Sequence, residues 1–366
     1  MTDNLFVNHG MTTYAEFVAA IARFDPVPLL GLLAGASARQ EVEGISGATS
    51  PWSIPSIARE SLAHGADGGV VPTEADLIEL GRIHHNLHDP YVSEWQDGDG
   101  FDGLLVRAVY EQIPFRHAVE REHARSIALY DRDYEALPRS CAVLSQASWE
   151  RGLGRPIGVV LRSAAVIRMI AARNSGWFDP SWLRRAVHAG TLEDAAVTSD
   201  DVKFVFNEFF VADYADHRRW AAEKRHEDAR LRRLDFNPLV THPFVRMPDG
   251  HCIAPSMHLV AKRLGPASLY AIGNELWPRP DKATKGATPF SGDAGVVLEA
   301  YVGELLARLN PTLLIPERSY PTRDGERMTA DFTLGPARHH RRLRGQVRTG
   351  EPSEPPRLRR LSQGRV

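Results

Sequence analysis

The chain has 366 residues, a formal net charge of −2, and a side-chain inventory that is 43% hydrophobic and 25% charged. That balance describes a globular chain long enough to bury a core without staples. Cys141 and Cys252 are the only cysteines, which excludes a disulfide framework and a cysteine-rich zinc centre and fits a reducing, cytoplasmic setting. The opening MTDNLFVNHG lacks a basic region followed by an apolar run, so no secretory signal is expected. The longest apolar candidate, IGVVLRSAAVIRMIAA, is broken by Arg162 and Arg168, so no membrane partner is expected.

The charge is unevenly spread. Residues 336–366 hold nine arginines against Glu351 and Glu354, a local balance of +7, which leaves −9 for the rest. The basic inventory is also lopsided: five lysines (Lys203, Lys224, Lys262, Lys282, Lys285) stand against 39 arginines, and no lysine follows Lys285.

Residues 1–233 read as an all-α region. TTYAEFVAAIARF spaces Tyr14, Phe17, Val18, Ile21 and Phe24 by threes and fours, with Thr12 or Thr13 as cap and Glu16 as capping-box partner. Residues 36–56 read as a loop. TEADLIELGRIHHNLHDP repeats the helical form, capped by Thr73 and stopped by Pro90. A long helical region follows over 101–135, broken or kinked at Pro114 because proline lacks the amide donor. GLGRPIG reads as a helix-entry loop, since its glycine spacing does not fit a dinucleotide fingerprint. Residues 155–189 read as two helices around NSGWFDPSW. SDDVKFVFNEFFVADYADHRRWAAEKRHEDARLRRL reads as one more, capped by Ser199 or Asp200.

The texture changes near Phe236. PFVRMPDGHCIAP is a hairpin signal around Pro248-Asp249-Gly250. SMHLVAKRLGPASLYAIGNEL is helical with an interruption at Gly265-Pro266. AGVVLEAYVGELLARL is an amphipathic helix with the apolar stripe Leu298, Tyr301, Val302, Leu305 and Leu309, and Glu299 lies at its edge. LLIPERSY and RMTADFTL read as strands joined through Asp324-Gly325. Residues 234–334 therefore form an α/β unit. Residues 335–366, rich in arginine and proline and without a period, read as disordered.

Two carboxylates stand out: Glu299 on the helix, with Gly295 and Gly303 a turn away on each side, and Asp331 within a strand. Paired carboxylates with open coordination positions hold Mg²⁺ or Mn²⁺ and suit phosphodiester chemistry. Each has a plainer reading. Glu299 can be an edge-of-core carboxylate paired with Arg308 or Lys262, Asp331 a strand residue bonded to a turn, and Glu317 a solvent-facing strand residue rather than an accessory ligand. His84, His85, His88 and Asp89 form a second metal candidate, for which a solvated helix end is the plainer reading.

The motifs FNPLVTHPFVRM, HCIAPSMHLVAKRL with LYAI, GVVLEAYVGELL and TADF resemble the entry to a PD-(D/E)XK nuclease domain, of the kind found in bacterial defence and restriction proteins. The resemblance implies a helical N-terminal region followed by a truncated restriction-endonuclease-like α/β core. It also implies a hydrolase acting on DNA in phage defence, with Mg²⁺ or Mn²⁺ held by Glu299 and Asp331. One departure is plain: the family's third strand carries an acidic-x-Lys motif, whereas here only Gln346-Val347-Arg348 stands in that place. Glutamine is a neutral ligand, and arginine holds its proton at all ordinary pH. The abrupt change of texture after Leu334 leads to the expectation of a frame-shifted or truncated end. The non-enzymatic alternative is an inactive nuclease-fold protein that binds nucleic acid, or a protein partner through its helical region.

Overall fold

Side-chain caps fix where the first helices start. The computed structural model describes residues 12–44, 49–87, 119–223, 225–227, 232, 235–278, 288–309, 314–316, 319–322, 325–328 and 332–334. Helix α1 (Tyr14–Ala22) opens on a capping box in which the Glu16 N–H donates to the Thr13 hydroxyl and the Thr13 N–H donates to the Glu16 carboxylate. Helix α2 spans Pro26–Glu43, capped by Asp25, and ends on left-handed Gly44. Helix α3 spans Ser53–His64, and α4 spans Glu74–His85 behind a Thr73–Asp76 capping box.

Most of the stretch expected to be a loop over 36–56 is thus helical at both ends. Ala36, Ser37 and Ala38 are buried in α2, where small side chains allow close approach, and Ser37 accepts the Met257 N–H. Pro55 is tolerated in the first turn of α3, whose amides have no intrahelical acceptor.

Helices α5 (Val119–Tyr130), α6 (Gln146–Leu153) and α7 (Ile157–Arg173) follow. The expected helix over 101–118, with its break at Pro114, lies outside the described residues. GLGRPIG forms the expected link: left-handed Gly154 closes α6, and Pro156 precedes α7. A two-residue strand β1 (Trp177–Phe178), a 3₁₀ turn (Pro180–Arg184) and α8 (Ala186–Asp194) complete this part.

The expected helix from Ser199 to Leu234 is interrupted. Helix α9 (Ser199–Val205), capped by Thr198 with Asp201, runs into one π turn, Phe206–Phe210. Strand β2 (Val211–Asp213) follows, and only then α10 (Tyr214–Glu223). The run Phe206, Phe210 and Val211 is buried, and aromatic and β-branched side chains of that kind fit a sheet surface as well as a helix.

The hairpin over 243–255 forms as read, with β3 (Phe244–Arg246) and β4 (Cys252–Ile253) antiparallel and Gly250 left-handed. The four strands make one mixed sheet in the order β1-β4-β3-β2, with β2 parallel to β3 at Val211↔Phe244. Its edge contact with α2 requires glycine at position 176. There φ is +84°, and a Cβ would fall 2.7 Å from the Ala34 Cβ and 2.9 Å from the Ala254 carbonyl.

Helices α11 (Met257–Lys262) and α12 (Pro266–Leu276) are separated at Gly265, and α13 spans Pro289–Leu309. Around Trp149, which is fully buried, an aromatic cluster gathers Tyr130, Trp277 and Phe290. The Trp149 indole N–H donates to the Tyr134 hydroxyl at 2.8 Å. The remaining strands are β5 (Leu314–Pro316), β6 (Ser319–Thr322), β7 (Gly325–Met328) and β8 (Phe332–Leu334). The described parts of the two expected strands are extended and paired antiparallel.

The chain divides into two compact units, Met1–Leu298 and Glu299–Val366, and the division falls within α13. The sheet draws β1 and β2 from before residue 233 and β3 and β4 from after it. The region expected to be all-α over 1–233 and the first part of the expected α/β unit thus share one sheet. Strand pairing overrides local helical pattern here, because a two- or three-residue strand is stable only within a ladder. The disordered tail expected over 335–366 lies outside the described residues. The architecture is mostly helical with a small mixed sheet, an α+β arrangement.

Candidate functional site

Glu299 sits in the middle of α13, half-buried. The apolar stripe beside it is not sealed: Leu298 is 52% exposed and Leu305 is 40% exposed. Within the second unit the order of elements is helix, β5, the β6–β7 hairpin, then β8. Strands β5 and β8 pair antiparallel with Leu314↔Leu334 and Pro316↔Phe332, and β6 pairs β7 with Thr322↔Gly325. Strand β8 begins one residue after Asp331 in sequence. Asp331 itself, Glu317, Gln346 and Arg348 lie outside the described residues, so Glu299 alone among the expected site residues has a described place. Among the described residues, no group of three or more His, Cys, Asp or Glu is arranged to hold a metal ion.

The histidine candidate resolves differently. His84 is 2% exposed, with its ring edge-on to Phe17 at 5.5 Å between centroids. It is a core histidine, and His85 packs against Trp52. His88 and Asp89 lie outside the described residues. Cys252 is buried in β4, and Cys141 is half-buried. Burial pushes both thiols up, which makes them poor nucleophiles.

The strongest electrostatic cluster was not singled out by the sequence. Glu60, in the middle of α3, has a fully buried carboxylate. It accepts Arg59 Nε–H at 2.7 Å, Arg225 Nη2–H at 2.6 Å and Arg225 Nη1–H at 3.2 Å. Arg225 also reaches the Tyr14 hydroxyl at 3.3 Å and the Asp235 carboxylate at 3.3 Å. Arg59 donates to the backbone carbonyls of Asp235 and Arg232, and the His226 N–H donates to Asp235 at 2.8 Å. Buried Arg59 and half-buried Arg225 thus balance two buried carboxylates, the condition under which a desolvated ion cluster is tolerated.

Titration follows from this arrangement. Burial pushes the Glu60 carboxyl up, but Arg59 and Arg225 together hold it below the usual range. Burial and the nearby Glu60 charge push the Tyr14 phenol up. His64, one turn after Glu60, accepts Arg225 Nη2–H at 2.6 Å through Nε2, and that nitrogen lies 3.6 Å from Glu60 Oε2. Burial lowers its pKa, Glu60 partly offsets this, and Arg225, Arg232 and Arg59 lower it further. The one available signal in the sequence is a charged pair, Arg59-Glu60, set among Ile54, Ile57, Ala58 and Leu62. Periodicity identifies such a helix as buried but does not say which distant residues neutralise the pair.

A third buried arrangement joins the loop before α6 to α13. The Asp293 carboxylate accepts the backbone N–H groups of Ala142, Val143 and Leu144 at 2.7, 2.7 and 2.8 Å. Three consecutive amides converging on one anion make a nest, here filled by the protein's own carboxylate. Arg132 donates to the Val297 carbonyl one turn further along the same helix. Compared with protein-family models, curated proteins and solved structures, the chain matches none. Among the described residues, no helix is long and apolar enough to cross a membrane.

Proposed function

We propose that this chain is a metal-dependent phosphodiesterase of nuclease type acting on DNA, with Glu299 and Asp331 as the ligands of Mg²⁺ or Mn²⁺. The observation that supports this reading is the element order of the second unit: a helix carrying Glu299, a strand, a hairpin, and a strand that starts directly after Asp331. Carboxylate oxygens suit a hard divalent cation, and Glu299 is half-buried rather than sealed in the core. A bound cation at such a site orients water and screens the phosphodiester charge.

The residues available downstream limit the rate. Gln346 offers a neutral oxygen where a carboxylate would complete the ligand set. Arg348 supplies a fixed positive charge for a phosphate but no exchangeable proton near neutral pH. The proposed active site is therefore incomplete, with two carboxylates for the metal and no acidic-x-Lys pair beside them.

The test is incubation of the full chain with supercoiled plasmid and Mg²⁺ or Mn²⁺, beside Asp331→Ala and Glu299→Gln. Metal-dependent nicking lost in both variants supports the proposal. The absence of nicking at every protein concentration overturns it. The second reading is an inactive nuclease-fold protein that binds nucleic acid. It is favoured by the +7 balance of residues 336–366 and the absence of lysine after Lys285. Salt-sensitive DNA binding without nicking, weakened when the arginines of 336–366 are neutralised, is the result that selects it.

A further inference from the structure

We propose that His64 and Arg225 form an acid-sensitive latch on the buried Glu60, which ties Arg225 to α3 at neutral pH and releases it on acidification. The geometry makes the two states exclusive. Arg225 Nη2–H is donated to the lone pair of His64 Nε2 across 2.6 Å, so that nitrogen carries no proton while the contact exists. A proton arriving at Nε2 would occupy the same gap as the guanidinium hydrogen, and the two must separate. The new Nε2–H then lies 3.6 Å from Glu60 Oε2, the oxygen that Arg225 Nη2 also uses. Protonated His64 thus competes for the carboxylate as well as expelling the guanidinium. Charge is conserved around Glu60 in the exchange: one cation leaves and another takes its place.

The surroundings favour this exchange over simple protonation in place. From α3, His64 faces Arg59 and Glu60; from the segment beyond α10 it faces Arg225 and Arg232, with Asp235 engaged by Arg225; from α1 comes the neutral Tyr14 hydroxyl. On α10, Arg218 is paired with Asp67 and Arg219 with Asp216. Arg59, Arg225 and Arg232 outnumber the Glu60 and Asp235 carboxylates and oppose a further cation at His64 as long as Arg225 stays. The His64 side chain is 37% exposed, so a proton reaches it from solvent without prior opening. Release of Arg225 removes the side-chain ties from this segment to Glu60 and Tyr14 and leaves the Arg59 contacts to the Asp235 and Arg232 carbonyls.

The magnitude follows from proton linkage. If the closed latch holds His64 neutral and the open one restores its ordinary value of about 6.5, the opening constant rises about tenfold between roughly pH 7.5 and pH 5.5. Histidine-specific NMR titration of the full chain, together with hydrogen exchange of the His226 amide corrected for intrinsic pH dependence, reads both sides. The expected result is a His64 titration below the ordinary value and an exchange rate about tenfold higher at the lower pH. In His64→Gln the side-chain carbonyl keeps an acceptor for Arg225 but cannot titrate, and the acceleration should fall below about twofold. A His64 titration at or above the ordinary value overturns the proposal, as does equal acceleration in His64→Gln. Should that variant fail to fold, the titration of the unaltered chain decides.

Discussion

Glu60 and Arg225 are 165 residues apart in sequence, yet Oε2 of the first accepts Nη2–H of the second at 2.6 Å inside the protein. The pair joins α3 to the segment that follows α10, and Tyr14 of α1 meets the same guanidinium. Removing one member leaves the other charge desolvated and unmatched, which costs more than the pair itself contributes.

Glu60→Gln should therefore destabilise the protein by about 3 kcal/mol, since Arg59 and Arg225 are then left with Asp235 as the one buried carboxylate of the cluster. Denaturant unfolding against the unaltered chain measures this. A loss under about 1 kcal/mol would mean that the cluster is hydrated rather than buried.

Asp293→Ala should cost about 3 kcal/mol, because three converging amides lose a charged acceptor at once. Asp293→Asn keeps one oxygen acceptor and should cost less. Hydrogen exchange at Ala142, Val143 and Leu144 should quicken in the alanine variant, which ties the loss to the nest rather than to helix α13 in general.

Gly176→Ala should destabilise by more than about 2 kcal/mol, through a strained positive φ together with contact against Ala34 and the Ala254 carbonyl. Gly250→Ala provides the control. Its φ of +87° is strained in the same way, but nothing lies within 4 Å of its added Cβ, so it should cost less. Equal losses would show that backbone strain alone operates.

Acid should weaken the first unit through His217. The ring is fully buried, its Nε2–H faces the Phe244 carbonyl at 3.2 Å, and burial depresses its pKa to about 4. The unfolded chain binds this proton from about pH 6.5 downward, whereas the folded chain does not until about pH 4. The unfolded state therefore holds more protons across that window, and stability falls as pH drops through it, then levels off. His217→Gln, which can still donate to Phe244, should flatten this part of the stability–pH curve.

Local signals were readable wherever structure depends on neighbours in sequence. Thr13 with Glu16 and Thr73 mark their helix starts, Pro248-Asp249-Gly250 turns its hairpin, and Gly265-Pro266 separates two helices. These depend on capping bonds and turn dihedrals, which involve only a few adjacent residues. Strand β2 was not readable. Val211–Asp213 lies inside a run with helical character, and its conformation follows from pairing with Phe244–Arg246, a segment about thirty residues further on.

The candidate site divides along the same line. Sequence by itself determined the chemistry on offer: Glu299 on an amphipathic helix, Asp331 within an expected strand, and glutamine and arginine where a carboxylate and lysine would complete a nuclease centre. It also determined the uneven charge, −9 against +7. Only the tertiary structure decided that His84 is a core residue, that Asp293 fills a backbone nest, and that Glu60 lies between Arg59 and Arg225. The physical reason is that desolvation depends on what the rest of the chain places around a group. A carboxylate's neighbours within four residues set its helix face, whereas its charge partners come from segments that only folding brings near.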